Sequence, residues 1–290
     1  NYPLAEKYFL ELRKDFPNIP LGDVFLAAVE ITRASDYGFV IDKNKINDYL
    51  ESASQKANAL YKQNENDLWN RYYMALTQGY WAYFEALQKD WIDAFAKGTS
   101  SINYFEECLE INKNFSEAFI ALGTYKYWRS RKTESLTWLP FINDERKEGI
   151  EFLEKASRKN SYNRVLAINS LIWIYVDRKE NAKAEQLANE AVKLFPGNRF
   201  LLWAAARVYE ASDPTRSIAI YNDLLREYSE LKLESRVRPI IARHKIAQMH
   251  FRLGNKIEAM NNLNEIPPTI ELTENEKKVL GSRLERIENF

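Results

Sequence analysis

The chain has 290 residues, of which 46% are apolar, 28% are charged and only 9 each are Gly and Pro. Few helix breakers and many polar side chains to solvate outer helix faces predict an all-α protein. Its 41 basic and 41 acidic residues cancel, so no overall field attracts a phosphate backbone or an anionic membrane, and nucleic acid is not an expected partner.

The first segment carries Ala5, Phe9, Leu12 and Pro17: a small residue, apolar ones four and seven positions on, then a breaker at the twelfth. The same spacing returns as Ala184, Ala188, Ala191, Pro196 and as Ser217, Tyr221, Leu224, Ser229, which marks a recurring helix in a unit of about 34 residues. Ala5–Pro17 is expected to be the second helix of a unit whose first helix precedes Asn1. The first residue is not Met, so upstream residues, an export signal among them, are expected.

Between Ala28 and Ala53 the segment Tyr37–Asp42 interrupts the pattern. An aromatic helix is predicted from about Asp67 to Leu87, with Gly79 on it, leading to Ser101, Phe105 and Cys108 on the next. Phe119, Leu122 and Gly123 are then followed by Gly149, Leu153 and Ala156. Phe119 to Gly149 spans 30 residues where the equivalent Ile168 to Ala184 spans 16, and the excess falls on Ser130–Asn143. The strongest unit runs from Val165 to Asn198. Ile168, Leu171, Ile172 and Tyr175 form one stripe, Asp177–Asn181 the turn, and Pro196-Gly197 the stop. Leu202, Ala205, Ala206 and Tyr209 repeat that stripe, Leu202 lying 34 residues after Ile168, with a turn at Ser212–Thr215. A further excess between Leu224 and Ala259 holds the charged stretch Arg226–Arg238. Ile246, Ala247 and His250 then precede Gly254, Ala259, Leu263, Ile266 and the closing Pro267-Pro268. Thr273 with Glu276 three residues on makes a capping box ahead of Val279, Leu280, Leu284 and Ile287, which predicts a final capping helix.

Chemistry is sparse along this chain. His244 and His250 share one predicted helix, but six residues turn them about 240° apart, so they do not readily share an ion, and no HExxH or paired CxxC occurs. Cys108, the single cysteine, excludes an intrachain disulfide and sits at a small-residue position, where it reads as a small hydrophobe. No GxSxG, Walker A or GxGxxG is present, and pairs such as Glu106 and Glu107 read as a solvated helix face. No catalytic, cofactor or metal site is expected. No run approaches the roughly 20 apolar residues that cross a bilayer; the richest, Phe200–Val208, contains Arg207.

The spacing resembles the tetratricopeptide repeat superfamily, with large, Leu, Gly/Ala and Tyr on the first helix and Ala, aromatic, Ala, then Pro on the second. The likeness is most specific between Phe115 and Leu225; in the Phe119 unit Lys126 stands where the family has Tyr. It implies an all-α right-handed solenoid of about six helix pairs in a single array. Residues 1–114 would hold elaborated repeats, 115–229 the clearest ones, 230–268 a divergent one and 269–290 the cap.

The family lines its concave face with first-helix residues beside the packing stripe. Carried onto this chain, that face holds Tyr80, Tyr83, Tyr127, Asn169, Trp173, Trp203 and Arg207, drawn from a surplus of 7 Trp, 17 Tyr and 15 Phe. Aromatic and Arg groups dominate binding hot spots. The carboxylate clamp of chaperone-binding members is not supported, since the corresponding turns hold Leu76, Tyr80, Ile120 and Thr124. Tyr125–Ile150 resembles a segment of bacterial, often exported tetratricopeptide proteins, and its Trp138 and Phe141 are expected in a docking loop, a lid or a packed filler. The resemblance implies a non-enzymatic interaction scaffold that binds a peptide or an assembly subunit. The alternative is an extracytoplasmic small-molecule-binding helper of a transporter, which needs an enclosed cavity where a scaffold needs an open groove. An extracytoplasmic location, periplasmic or lipid-anchored through residues ahead of Asn1, is expected before a cytoplasmic one.

Overall fold

Several helices in this chain begin where a short polar side chain accepts the free N–H groups of the first turn. In the computed structural model, which describes residues 1–134, 143–158 and 161–290, Asp42 caps Lys45, Asp67 caps Trp69 and Asn70, Asp90 caps Asp93, Asn198 caps Leu201, and Asp213 caps Arg216 beside Pro214. Fifteen α-helices follow in order among the described residues: α1 Tyr2–Asp15, α2 Leu21–Tyr37, α3 Lys43–Gln63, α4 Leu68–Gln88, α5 Trp91–Ile111, α6 Ser116–Lys132, α7 Arg146–Arg158, α8 Arg164–Asp177, α9 Asn181–Leu194, α10 Arg199–Ser212, α11 Pro214–Glu230, α12 Val237–Arg252, α13 Lys256–Asn264, α14 Glu274–Leu280 and α15 Arg283–Glu288. No strand occurs among them. After α1 come six pairs, α2/α3 to α12/α13, then the cap; the fold is an all-α array of helix pairs, as the repeat spacing predicts.

The chain forms two compact units, one of Asn1–Arg33 with Ile41–Ala167, the other of Ala34–Val40 with Ile168–Phe290. The boundary near residue 167 falls within α8, inside the stretch of clearest repeats.

In the first unit, Phe9 stacks on Phe25 with ring centroids 5.0 Å apart, and buried Asp23 is held by Arg13 at 2.9 Å and Lys56 at 2.6 Å. Ala27, Ile31, Ile46, Leu50 and Phe84 join α2, α3 and α4, while Tyr72, Phe105, Cys108, Phe115 and Leu122 join α4, α5 and α6. The lengthening between Gly79 and Ser101 is helical: α4 and α5 each have 21 residues and turn at Lys89, whose φ is 67°. Small residues sit where helices cross. Ser101 donates to the Ala75 carbonyl at 2.7 Å, and a Cβ on Gly123 would meet the Gly149 oxygen at 2.7 Å. Cys108 is buried, and burial pushes its thiol up to about 12, as suits a small hydrophobe.

In the second unit, Leu202, Ala206, Tyr221, Leu224, Ile246 and Met249 form a core across α10, α11 and α12. Ser217 on α11 donates to the Ala206 carbonyl at 2.9 Å, the counterpart of Ser101. Val237, Ile240, Ile266, Leu272 and Leu280 seat the cap. The capping box at Thr273 and Glu276 forms. The single final helix is instead two short ones, because Gly281 adopts φ 52° and ends α14; positive φ breaks the helical run.

Candidate binding surface

The second unit repeats one register on its first helices. Asn169 and Trp173 lie three before and one after Ile172; Trp203 and Arg207 hold the same offsets from Ala206. Applied to Ala247 on α12, those offsets give buried His244 and half-buried Gln248, which sequence reasoning did not assign to this register although the repeat supplied the rule.

Trp173 is 38% exposed. Trp203 is half-buried: its Nε1 donates to the Tyr228 hydroxyl at 3.0 Å, its ring meets Tyr221 edge-on at 5.4 Å, and the Arg238 guanidinium lies 5.6 Å above it. Tyr228 passes the chain on, donating to Asp36 at 2.8 Å. Arg207 pairs with Glu210, which also accepts from the Tyr221 hydroxyl at 2.6 Å and lies 3.0 Å from Lys245. Burial works against that carboxylate, but the Tyr221 hydroxyl, Lys245 and Arg207 together hold it below its usual range. Two positions of the register share one defect: Asn169 Oδ1 and His244 Nδ1 are buried without a hydrogen-bond partner. Such atoms are rare in folded proteins. Burial first, then Arg283, Lys245 and Arg286, lower His244 to about 4, so its ring is neutral near pH 7.

In the first unit, Tyr80 is half-buried against the α2/α3/α4 cluster, and burial raises its hydroxyl to about 12; Tyr83 is 50% exposed. Tyr127 is fully buried, a correction to its expected place on the surface. The close crossing at Gly123 and Gly149 is the reason: a Cβ on Gly149 would lie 3.0 Å from the Tyr127 nitrogen, so α7 covers that turn of α6. Trp138 and Phe141 lie outside the described residues. Sequence reasoning also missed an apolar cluster at the α4–α5 turn, where Trp91, Ile92 and Phe95 are 66%, 82% and 75% exposed; its signal was Trp-Ile directly after the capping Asp90.

Among the described residues no group of His, Cys, Asp and Glu could hold a metal ion, and no helix is long and apolar enough to cross a membrane.

The register, the helix pairing and the small-residue crossings define a tetratricopeptide-repeat fold. Among solved structures, PilW, a widely conserved type IV pilus biogenesis factor, is similar over 88% of this chain and 98% of its own, with 13% identity and a TM-score of 0.53. YrrB, a TPR protein with an unusual peptide-binding site, matches 81% of this chain and 98% of its own at 11% identity and a TM-score of 0.47. A tetratricopeptide repeat protein from Parabacteroides merdae matches 99% of this chain and 93% of its own at 12% identity and a TM-score of 0.45. No protein-family model matches the sequence, and no curated protein matches it.

Proposed function

We propose that the protein is a non-enzymatic scaffold that binds a peptide segment or a subunit of an assembly along the first-helix face of its repeats. One observation carries the reading: in the second unit three of the register-equivalent residues keep exposed surface or an unfilled acceptor. Trp173 remains 38% exposed, the Arg207 side chain 44% exposed, and Asn169 Oδ1 has no partner. An aromatic ring and an amide oxygen on α8, with a guanidinium at the same register on α10, suit an extended peptide, whose backbone offers donors and acceptors and whose side chains offer apolar surface. The reading includes an extracytoplasmic location, supported by the resemblance of Tyr125–Ile150 to exported proteins and tested by cell fractionation.

Selection from a displayed library of short random peptides tests the binding role. Enrichment of a shared motif by the wild-type protein, abolished by Trp173→Ala with Arg207→Ala while the unfolding midpoint stays put, is the expected result. Enrichment indifferent to both changes, or none at all, overturns it.

A further inference from the structure

Cations of α10 and α12 in the second unit gather on one carboxylate, Glu210. Glu210 already accepts Arg207, Lys245 and the Tyr221 hydroxyl, and its main-chain oxygen accepts Arg252. Arg283 on α15 is half-buried and has no hydrogen bond or ion pair among the described residues. Its electrostatic neighbours are Arg286, Arg238, Tyr221 and Glu210, and burial together with the two arginines pulls its guanidinium below its usual value. A guanidinium held this way, among other cations and without an acceptor, is costly unless an anion completes it.

A second observation comes from α12. Gln248 Nε2 lies 3.3 Å from His244 Nε2; with the amide as donor, the neutral ring carries its proton on Nδ1. That N–H is buried and unpartnered, and His244 lies within the electrostatic reach of Arg283 and Arg286. Among the described residues, Arg283 and the His244 Nδ1–H are thus donors on neighbouring helices that no acceptor of the chain takes up.

We propose that Arg283 and Arg286 on α15, with the His244 Nδ1–H of the adjoining α12, receive a carboxylate side chain of the bound peptide, so that the scaffold selects acidic segments. This rests on the peptide-binding reading and gives its ligand a charge. A carboxylate accepts two guanidinium donors in a fixed fork, which suits Arg rather than Lys at these positions. Phe290, whose ring meets His244 edge-on at 6.0 Å, is the side chain that turns aside to admit it.

The test uses the same library of displayed random peptides, selected in parallel on the wild-type protein, on Arg283→Gln with Arg286→Gln, and on Trp173→Ala, at low and high salt. Wild type is expected to enrich Asp or Glu at one position of the motif. The paired glutamine variant loses that preference, weakening acidic peptides by about tenfold, the scale of one charge-assisted pair, and leaving their Asn or Gln counterparts unchanged. High salt reduces the preference in wild type and not in the paired glutamine variant. Its unfolding midpoint is expected to stay level or rise, because an uncompensated half-buried charge is removed. A clear fall in the midpoint overturns the proposal by showing that Arg283 and Arg286 support the fold. A neutral motif that Trp173→Ala abolishes leaves the peptide-binding reading standing and sinks the acidic one; no motif on any bait sinks both.

Discussion

Asp36 is clasped by Arg199, 163 residues further on, through a guanidinium nitrogen 2.5 Å from its carboxylate. The pair is 12% and 17% exposed in its side chains. Tyr228 donates to the same carboxylate, and the rings of Tyr37 and Tyr228 lie 5.7 and 5.6 Å from the Arg199 guanidinium. Burial works against the arginine's charge, but the hydrogen bond and attraction of Asp36 raise its pKa. Within the second unit, Ser235 donates to the Gly38 carbonyl at 2.9 Å and Arg238 to that of Ser35 at 2.8 Å. This fixes Ala34–Val40 against α10, α11 and α12.

Breaking one side of this clasp leaves a charge without its partner. Arg199→Met is expected to cost about 2–4 kcal/mol in urea unfolding, and adding Asp36→Asn to recover a good part of it. Strict additivity of the two changes would show that the pair is not coupled.

His244 makes stability depend on mild acid. Its pKa falls from 6.5 to about 4 in the folded protein through burial and then Arg283, Lys245 and Arg286, so between those values the unfolded chain binds more protons. The contribution is complete above pH 6.5 and is lost as pH falls towards 4, amounting to about 2–3 kcal/mol. Unfolding curves of the wild type between pH 7.5 and pH 4, set against His244→Gln, should converge on the acid side; parallel curves would refute a buried neutral imidazole.

Glu276 acts in a lower window. The Arg236 side chain, then main-chain donors from Arg236 and Thr273, outweigh burial and lower it from 4.5 to about 2; Arg236 Nη2 is 2.9 Å from its carboxylate. Its stabilisation is present above pH 4.5 and disappears as pH falls through about 2, a change on the order of 2–3 kcal/mol. Glu276→Gln should therefore be clearly destabilised at pH 6 and nearly equal to wild type near pH 2. A gap that does not narrow counts against the ion pair.

The glycines of α5, α6 and α7 should respond with opposite signs. A Cβ on Gly123 would lie 2.7 Å from the Gly149 oxygen and 2.8 Å from Leu153 Cγ, so Gly123→Ala is expected to cost about 1–3 kcal/mol. Gly98 meets only Ala82 Cβ at 3.7 Å, and Gly98→Ala should stabilise by about 0.5–1 kcal/mol, the helix-interior preference for Ala. Thermal unfolding of both variants checks the contrast.

The sequence by itself determined the class of fold, because burying helix faces in repeated pairs demands one periodicity and that periodicity is written locally. It also placed Asn169, Trp173, Trp203 and Arg207 in one register, since each sits three before or one after the packed residue Ile172 or Ala206. Tyr127, four residues after Gly123, was misplaced: its burial depends on how closely α7 crosses α6, which two glycines 26 residues apart decide together. Only the tertiary structure showed that Asp36 meets Arg199, that Glu210 is already surrounded, and that Arg283 has no hydrogen-bond acceptor among the described residues. Charge pairing between residues distant in the chain has no period, so it leaves no local pattern to read; it follows from which helices pack, and how near.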